Sequence, residues 1–331
     1  MKTAISVKNT KMIYKYYEKK QGLKGSIKNW FGRKKLSKTA LEDINIEIQE
    51  GSIVGYVGLN GAGKTTTMKL LSGILKPTEG EINVIGYDPY KKQKEYLKQI
   101  CLVMGNKSQL MWDLPAIDSI ELNRVIYGVT EEKYKAIFDE MVDLLNVRKL
   151  LNVQVRRLSL GERMKMELIA ALIHVPKVVF LDEPTIGLDI ISQNNIREFL
   201  KYYNQKYKAT IILTSHNFDD ISEVCNELLL LDQGKIIFSG TLNEFYDKYR
   251  AEKHFKIKLK KKNASFGQVL LKYVDQSNIE IDENNNEYDI KIENEILLDI
   301  IHKIVDSYID EIVDISIQNA ELKDIIGEMF Q

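Results

Sequence analysis

The sequence is short of cysteine and of long apolar runs. Its 331 residues include two cysteines, Cys101 and Cys225, which are too few and too isolated for a disulfide framework or a zinc site. We expect both to be buried in a reducing compartment. No apolar stretch approaches the roughly 18–20 residues that cross a bilayer, and the first ten residues lack the apolar core of a secretory signal. We therefore expect a cytoplasmic chain that does not itself span a membrane.

The sequence also lacks an excess of charge of either sign, since 47 lysines and arginines balance 47 aspartates and glutamates. A balanced chain has no strong overall preference for nucleic acid or anionic lipid. The distribution is uneven, however: residues 11–38 hold ten basic residues and one acidic residue, whereas residues 275–331 hold sixteen acidic and three basic residues. This asymmetry predicts surfaces of different character rather than a different fold.

The pattern of apolar residues predicts two domains, which we place at 1–250 and 251–331. In the first, a short strand at 5–7 precedes a basic, aromatic arm at about 15–40. Strands then alternate with helices, which predicts a largely parallel sheet covered on both faces, and a mostly helical subdomain interrupts this alternation at about 90–157. The second domain has the order strand, helix, strands, helix, strand, helix, which predicts a small α+β fold.

A glycine-rich segment lies between a predicted strand and a predicted helix. Residues 58–65, GLNGAGKT, match the pattern G-x-x-x-x-G-K-[ST] completely. Such a loop lets backbone N–H groups converge on phosphate oxygens at a helix N-terminus. We predict that Lys64 reaches the β- and γ-phosphates and that the Thr65 hydroxyl ligates Mg²⁺. The predicted nucleotide contacts are Gly58, Leu59, Asn60, Gly61, Ala62, Gly63, Lys64, Thr65 and Thr66.

Two carboxylates end a second apolar strand. The run VVFL at 178–181 is followed by Asp182 and Glu183. We predict that Asp182 faces the magnesium ion and that Glu183, one residue further on, polarises or deprotonates the attacking water. A strand followed by two acidic residues is a weak signal alone, so its meaning depends on the neighbouring motifs.

Two such motifs flank the carboxylates. LSLGER occupies 158–163, and EPTIGLD occupies 183–189. Together with the phosphate loop, and in this order, they resemble the ABC ATPase family over about residues 4–245. The resemblance implies an α/β P-loop NTPase fold of ABC ATPase type, with a mixed or parallel sheet and a helical subdomain, to which this chain adds its small α+β domain. It also implies ATP hydrolysis with Mg²⁺ by paired subunits.

The family's functional positions map onto this sequence residue by residue. Ser159 and Gly161 are implied to face the γ-phosphate bound in a second, opposed subunit, and Asp189 is implied to contact nucleotide. His216, at the end of TIILTSH, is similar to the switch histidine that contacts γ-phosphate and water. The family's signature is LSGGQ, so Leu160 replaces a glycine and must be accommodated at the dimer face. Glu162 replaces the glutamine and should add negative charge there.

Two assignments stay open at this point. The aromatic residue that stacks on adenine is Tyr14 or, second, Tyr16, although both could be surface aromatics of the arm. The family's glutamine next to the helical subdomain corresponds to Asn106 or Gln109, and either could offer an amide oxygen to Mg²⁺.

The variant signature, the stretch QLMWDLP at 109–115 and the basic arm resemble ATPases of ABC-2-type exporters. The resemblance implies a separate integral-membrane permease as partner, export as the direction, and a peripheral location on the cytoplasmic face of the membrane. A second ATPase subunit is implied as well, as a homodimer or a heterodimer. The arm, with Trp30 and Phe31, is expected near the membrane or permease, or as a solvated insertion. Permease contact is expected around four residues that could equally be core: Leu110, Met111, Trp112 and Leu114.

Two other functions compete with this one. A soluble ABC ATPase acting on nucleic acid or ribosomes is disfavoured because the chain holds one cassette, no long heptad segment and no cysteine cluster. We therefore expect no nucleic-acid partner. A regulatory protein that hydrolyses little would be indicated if the substitution Glu183→Gln changed no rate.

Overall fold

The computed structural model describes residues 2–17, 35–105, 107–249, 253–261, 263–282, 286–292, 294–319 and 322–330. They divide into two compact units, Met1–Leu242 and Asn243–Gln331. This division falls slightly ahead of residue 250, where the sequence places the boundary. No helix among the described residues is both long enough and apolar enough to cross a bilayer.

The first unit contains nine strands and seven helices within the described ranges. In chain order they are β1 Thr3–Tyr17, β2 Lys35–Gln49, β3 Ile53–Gly58, α1 Lys64–Leu71, β4 Glu79–Val84, α2 Lys94–Leu97, β5 Ile100–Met104, α3 Ala116–Tyr127, α4 Glu131–Leu144, α5 Leu160–Leu172, β6 Val178–Asp182, α6 Ile190–Tyr207, β7 Thr210–Thr214, α7 Phe218–Val224, β8 Glu227–Asp232 and β9 Lys235–Thr241. Short 3₁₀ turns lie at Pro89–Lys91, Arg148–Leu150 and Val155–Arg157.

A six-stranded sheet forms the centre of this unit, in the order β5-β6-β7-β3-β8-β9. Its neighbours are parallel except β8 and β9, which form an antiparallel hairpin. Strands β3, β6 and β7 are buried throughout, as expected of apolar strands in a sheet with both faces covered. The sheet and its helices confirm the predicted α/β P-loop fold. The carboxyl ends of β3, β6 and β7 share one edge, where the predicted functional motifs begin.

A second, antiparallel sheet has the order β2-β1-β4. The prediction of a strand confined to residues 5–7 is wrong, because β1 continues to Tyr17. Pairing explains the difference: β2 runs alongside β1 from Gln49 opposite Thr3 to Lys35 opposite Tyr17, so the ladder supports the strand over its whole length. The predicted arm is thus partly a β-ribbon. Its central part, residues 18–34 with Trp30 and Phe31, lies outside the described residues.

The segment predicted as mostly helical contains one strand that the sequence reasoning missed. Helices α2, α3 and α4 follow the predicted pattern, but ICLVM forms β5 and pairs in parallel with β6. Five apolar residues between helical segments fit a strand or a buried helical turn equally well, so periodicity alone does not distinguish them.

The second unit is a four-stranded antiparallel sheet with helices. It contains α8 Leu242–Lys248 at the division, then β10 Lys253–Leu259, α9 Ala264–Leu270, β11 Ile279–Asp282, β12 Glu287–Ile292, α10 Asn294–Tyr308, β13 Ile312–Asn319 and α11 Leu322–Met329. A 3₁₀ turn lies at Gln276–Asn278, and the strand order is β11-β12-β10-β13. Its core includes Phe255, Ile257, Phe266, Tyr288 and Ile290. Its order of strands and helices follows the pattern expected from the sequence.

Candidate functional site

The glycine-rich loop connects β3 to α1 at the carboxyl edge of the core sheet. At Gly58, which ends β3, a Cβ atom would lie 2.2 Å from the carbonyl oxygen of Leu231, so a larger residue does not fit. Gly63 has a φ of 122°, a conformation that glycine adopts without strain, and α1 begins directly after it. The unpaired N–H groups of the first turn of α1 therefore adjoin the loop, which is the arrangement that binds phosphate.

The Lys64 ammonium group is buried within this loop. Its Nζ donates to the carbonyl oxygens of Gly58 at 2.5 Å and Leu59 at 3.3 Å. Burial lowers the pKa of Lys64, while the nearby carboxylates of Glu183 and Asp182 oppose that fall. A cation held next to a glycine-rich backbone suits an anionic ligand such as a phosphate group.

The Asp182 carboxylate, at the end of β6, is hydrogen-bonded to residues of α1 and β7. Its Oδ2 accepts a hydrogen bond from the Thr65 hydroxyl at 2.9 Å, and its Oδ1 accepts one from the Thr214 hydroxyl at 2.7 Å. Thr65 lies in the first turn of α1, and Thr214 ends β7. These hydroxyl bonds orient the carboxylate, and oxygen donors are the ligands that magnesium prefers. The donor set therefore fits the magnesium ion that the family resemblance implies.

Glu183 and His216 are in direct contact. Glu183 Oε1 lies 2.9 Å from His216 Nε2, and both side chains are partly exposed. Glu183 has a φ of 56°, and its backbone N–H lies 3.1 Å from both the carbonyl and the hydroxyl oxygen of Thr214. The bonds to β7 hold Glu183 in this left-handed conformation. A solvent-accessible carboxylate paired with an imidazole can accept a proton from water.

Ser159 caps the N-terminus of α5 together with Glu162. The Ser159 hydroxyl oxygen accepts a hydrogen bond from the Glu162 N–H at 3.3 Å, and the Glu162 carboxylate accepts one from the Ser159 N–H at 2.8 Å. This reciprocal pair is a capping box. Glu162, expected to contribute negative charge at the dimer face, therefore has its carboxylate engaged in the cap of its own helix.

The N-termini of α5 and α6 pack against each other. Asp189 caps α6 by accepting hydrogen bonds from the Ser192 N–H at 2.9 Å and the Ser192 hydroxyl at 2.7 Å, and these bonds lower the pKa of Asp189. A Cβ atom on Gly161 would lie 2.4 Å from the Ser192 hydroxyl oxygen. A Cβ atom on Gly187 would lie 3.1 Å from Leu160 Cδ2. Leu160, the leucine that departs from the family signature, therefore lies next to Gly187 of its own chain, and it remains 37% exposed.

The structure separates the candidates for adenine contact. The Tyr14 hydroxyl lies 3.2 Å from the Thr66 hydroxyl oxygen, so β1 places this ring next to the start of α1. Tyr16, two residues further along the ribbon, is 49% exposed. The geometry favours Tyr14.

The two amide candidates differ as well. Asn106 lies outside the described residues. The Gln109 side-chain amide donates to the carbonyl oxygen of Leu102 at 2.7 Å, two residues back from the end of β5. The structure therefore does not bring Gln109 to the carboxylate of Asp182.

Sequence reasoning missed two residues of this site. Thr214 binds Asp182 through its hydroxyl group, as described above. The Gly105 N–H donates to the Asp182 carbonyl oxygen at 2.8 Å, and a Cβ atom there would lie 2.5 Å from the Glu183 carbonyl oxygen. A threonine at the end of the strand TIILT was an available signal. No sequence signal indicated Gly105, because β5, the strand that ends directly before it, was not predicted.

A cavity of about 690 Å³ lies between the core sheet and the helical subdomain. Its lining includes the apolar residues Ile74, Leu97, Met104 and Ile126 together with Lys94, Lys98 and Lys107. The four residues predicted for permease contact divide into two kinds: Leu110 is buried at 6% exposure and Met111 is half-buried, whereas Trp112 and Leu114 are exposed at 51% and 42%.

Comparisons with known proteins agree with this geometry. Residues 41–186 match the family model described as ABC transporter. The chain is 32% identical over 222 residues to the ABC transporter ATP-binding protein NatA of Bacillus subtilis, an alignment that covers 67% of this chain and 90% of NatA. It is 29% identical over 230 residues to a methionine import ATP-binding protein of Enterococcus faecalis, covering 68% of this chain and 66% of that protein.

A solved structure shares the fold. It is a dimeric ATP-binding cassette in a post-hydrolysis state, bound to ADP and Pi, with a TM-score of 0.58 and 21% sequence identity. The superposition covers 72% of this chain and 98% of that one. The phosphate loop, the paired carboxylates and these relatives together identify the chain as an ATP-hydrolysing member of the ABC transporter ATP-binding protein family.

Proposed function

We propose that this ATPase uses Mg²⁺-bound ATP to power a separate ABC-2-type permease, for export, from the cytoplasmic face of the membrane. The observation that carries the proposal is the meeting of three groups at one sheet edge. The buried Lys64 amine, the Asp182 carboxylate and the contact between Glu183 and His216 all lie where β3, β6 and β7 end.

Each group has a separate task in this proposal. Asp182 and Thr65 hold Mg²⁺, which neutralises charge on the phosphate oxygens when bound. Lys64 and the loop N–H groups bind the β- and γ-phosphates. Glu183 orients the attacking water and accepts its proton, while His216 fixes the carboxylate and contacts the γ-phosphate.

A second subunit completes each site in this proposal. Ser159 and Gly161 sit at the N-terminus of α5, where the helix dipole favours an anion. Nearby on α6, the adjacent residues Ile190 and Ile191 are each 74% exposed and form an apolar pair that a second subunit would cover. Because one chain carries both Glu183 and the Ser159 cap, two identical chains provide two complete sites. This supports a homodimer.

The permease is proposed to bind the cavity next to the helical subdomain. The apolar lining residues Ile74, Leu97 and Ile126 suit a short amphipathic helix from a membrane partner. Trp112 and Leu114, which are exposed outside this lining, offer further apolar contact to the same partner. The assignment to an ABC-2-type exporter depends on the variant signature LSLGER and the stretch QLMWDLP, since relatives of this chain include an import protein.

Two experiments test the proposal. The first purifies the tagged chain from detergent-solubilised cells and identifies what remains bound by mass spectrometry. A multi-span membrane protein is expected, and the substitution Trp112→Ala should reduce its recovery. Recovery of ribosomes or DNA in place of a membrane protein would contradict the proposal.

The second measures ATP hydrolysis by Glu183→Gln. We expect kcat to fall at least about 100-fold while ATP still binds, because the phosphate loop is untouched. Glu132→Gln, at an exposed position of α4, is the matched control and should retain the rate. Equal rates for the two variants would indicate a protein that binds nucleotide without using Glu183.

A further inference from the structure

The segments that carry Glu183 and His216 are both bound to one buried carboxylate that lies outside the family motifs. Asp220, on α7, is 1% exposed. Its Oδ2 accepts hydrogen bonds from the hydroxyl groups of Thr185, two residues after Glu183, and of Ser215, one residue before His216. The Ser215 bond measures 2.6 Å.

The other oxygen of Asp220 is bound to a buried arginine. Arg197 is 4% exposed, and its Nε donates to Asp220 Oδ1 at 2.8 Å. Its remaining nitrogens donate to Asn194 at 2.8 Å, to Glu223 at 3.0 Å and to Gln193 at 3.3 Å. Buried charges are retained in proteins when they are paired and fully hydrogen-bonded, as these are.

This network also reaches the segment after His216. The Gln193 side-chain oxygen accepts a hydrogen bond from the Asn217 amide at 3.0 Å, and the Asn217 N–H donates to the Ser215 hydroxyl at 3.0 Å. Arg197 and Gln193 both lie on α6, the helix that begins with the exposed Ile190 and Ile191. A displacement of α6 would therefore be transmitted to both sides of His216.

We propose that Asp220 is a positioning residue for hydrolysis, which keeps Glu183 and His216 in contact through Thr185 and Ser215 and fixes both to α6 through Arg197. Asp220 is 1% exposed and acts through its hydrogen bonds to Thr185, Ser215 and Arg197, not as a ligand of the nucleotide. Its effect is on the geometry of the 2.9 Å contact between Glu183 and His216, and a shift of about 1 Å in such a contact can reduce a rate about 100-fold.

Removal of the Asp220 charge would take the fully buried carboxylate partner away from Arg197, leave the ion pair with the more exposed Glu223, and endanger folding, so the test uses the hydroxyl donors instead. Thr185→Val removes one hydrogen bond to Asp220, and Ser215→Ala removes the bond to Asp220 together with the bond from the Asn217 N–H. Both variants leave the ion pair between Asp220 and Arg197 intact. We expect kcat to fall about 10- to 100-fold in each variant. The KM and the Kd for ATP should stay within about twofold, because the loop at 58–65 has no contact with Asp220 among the described bonds.

Two further variants make the outcome decisive. Thr185→Ser restores the hydroxyl and should recover most of kcat. Ser222→Ala removes an exposed hydroxyl from the same helix as Asp220 and should leave kcat unchanged. If Thr185→Val and Ser215→Ala both retain kcat within about twofold of the parent value, the proposal is wrong. A parallel loss of ATP affinity and thermal stability would also overturn it, because that pattern indicates a purely structural role.

The inference assumes that Glu183 performs the hydrolysis assigned to it above. The variant Glu183→Gln, measured in the same assay, separates the two failures. If this variant retains activity, the proposed role of Glu183 is wrong. If it loses activity while Thr185→Val and Ser215→Ala do not, only the positioning role of Asp220 is wrong.

Discussion

His174 should make the first unit sensitive to mild acid. The residue follows α5, and its ring stacks on Tyr127 with the centroids 3.6 Å apart. Nε2 lies 3.2 Å from the carbonyl oxygen of Ile100, while Nδ1 is buried and has no hydrogen-bond partner among the described residues. Burial lowers the pKa of His174 from 6.5 to about 4, so the folded chain holds this imidazole neutral where the unfolded chain protonates it.

The sign and size of the effect follow from this pKa. Between pH 6.5 and pH 4 the unfolded chain binds a proton at His174 that the folded chain does not bind. The free energy of unfolding is therefore highest above pH 6.5 and decreases as the pH falls towards 4. The loss should be about 1.4 kcal/mol at pH 5.5 and reach about 3 kcal/mol below pH 4. In His174→Phe the ring can still stack on Tyr127, but this titration is removed.

Chemical denaturation at pH 7.5 and pH 5.5 provides the assay. The chain has two tryptophans, so a Trp30→Phe background leaves Trp112 as the single reporter for the first unit. We expect the free energy of unfolding to fall by about 1.4 kcal/mol more in the parent than in His174→Phe between these pH values. The substitution of the exposed His302 by Phe is the control. An identical pH dependence for the parent and His174→Phe would refute the reasoning.

Three substitutions test individual contacts of the site. Thr214→Val removes a hydroxyl bond to Asp182, and the Mg²⁺ concentration for half-maximal ATPase activity should rise about 10- to 100-fold in a magnesium titration. Gly161→Ala places a Cβ atom 2.4 Å from the Ser192 hydroxyl oxygen, so kcat should fall at least about tenfold in steady-state assays while the isolated subunit still binds ATP. Tyr14→Ala should weaken ATP binding about tenfold by calorimetry, whereas Tyr14→Phe should not, because stacking depends on the ring. An unchanged Mg²⁺ dependence in Thr214→Val would contradict the role of the Thr214 hydroxyl. An unchanged kcat in Gly161→Ala, or an unchanged ATP affinity in Tyr14→Ala, would contradict the role of that residue.

The sequence was most informative where function fixes both residue type and spacing. The loop at 58–65 and the pair Asp182 and Glu183 were predicted in their strand and helix context, because the mechanism requires them at the ends of buried strands. The alternation of strands and helices also predicted most of the elements, since the parallel sheet needs continuous apolar strands.

Contacts between residues far apart in the sequence were not predictable in the same way. The network of Asp220 joins residues from three separate segments, and no local pattern distinguishes a buried aspartate at the start of a helix from a solvated one. Strand β5 was missed because five apolar residues carry no periodicity that identifies a strand. The length of β1 depends on its pairing with β2, a strand that begins eighteen residues after β1 ends.

The capping box at the start of α5 orders the Ser159 side chain that is proposed to contact the γ-phosphate bound in the opposed subunit. The Ser159 hydroxyl oxygen accepts the Glu162 N–H, so its own hydrogen is left to donate, and its rotamer is fixed before any nucleotide arrives. The entropy cost of ordering that side chain is therefore part of folding and not of binding. A glutamine at position 162 could form the same cap, but the Glu162 carboxylate makes it anionic, so closure of the proposed dimer around ATP should become more sensitive to ionic strength.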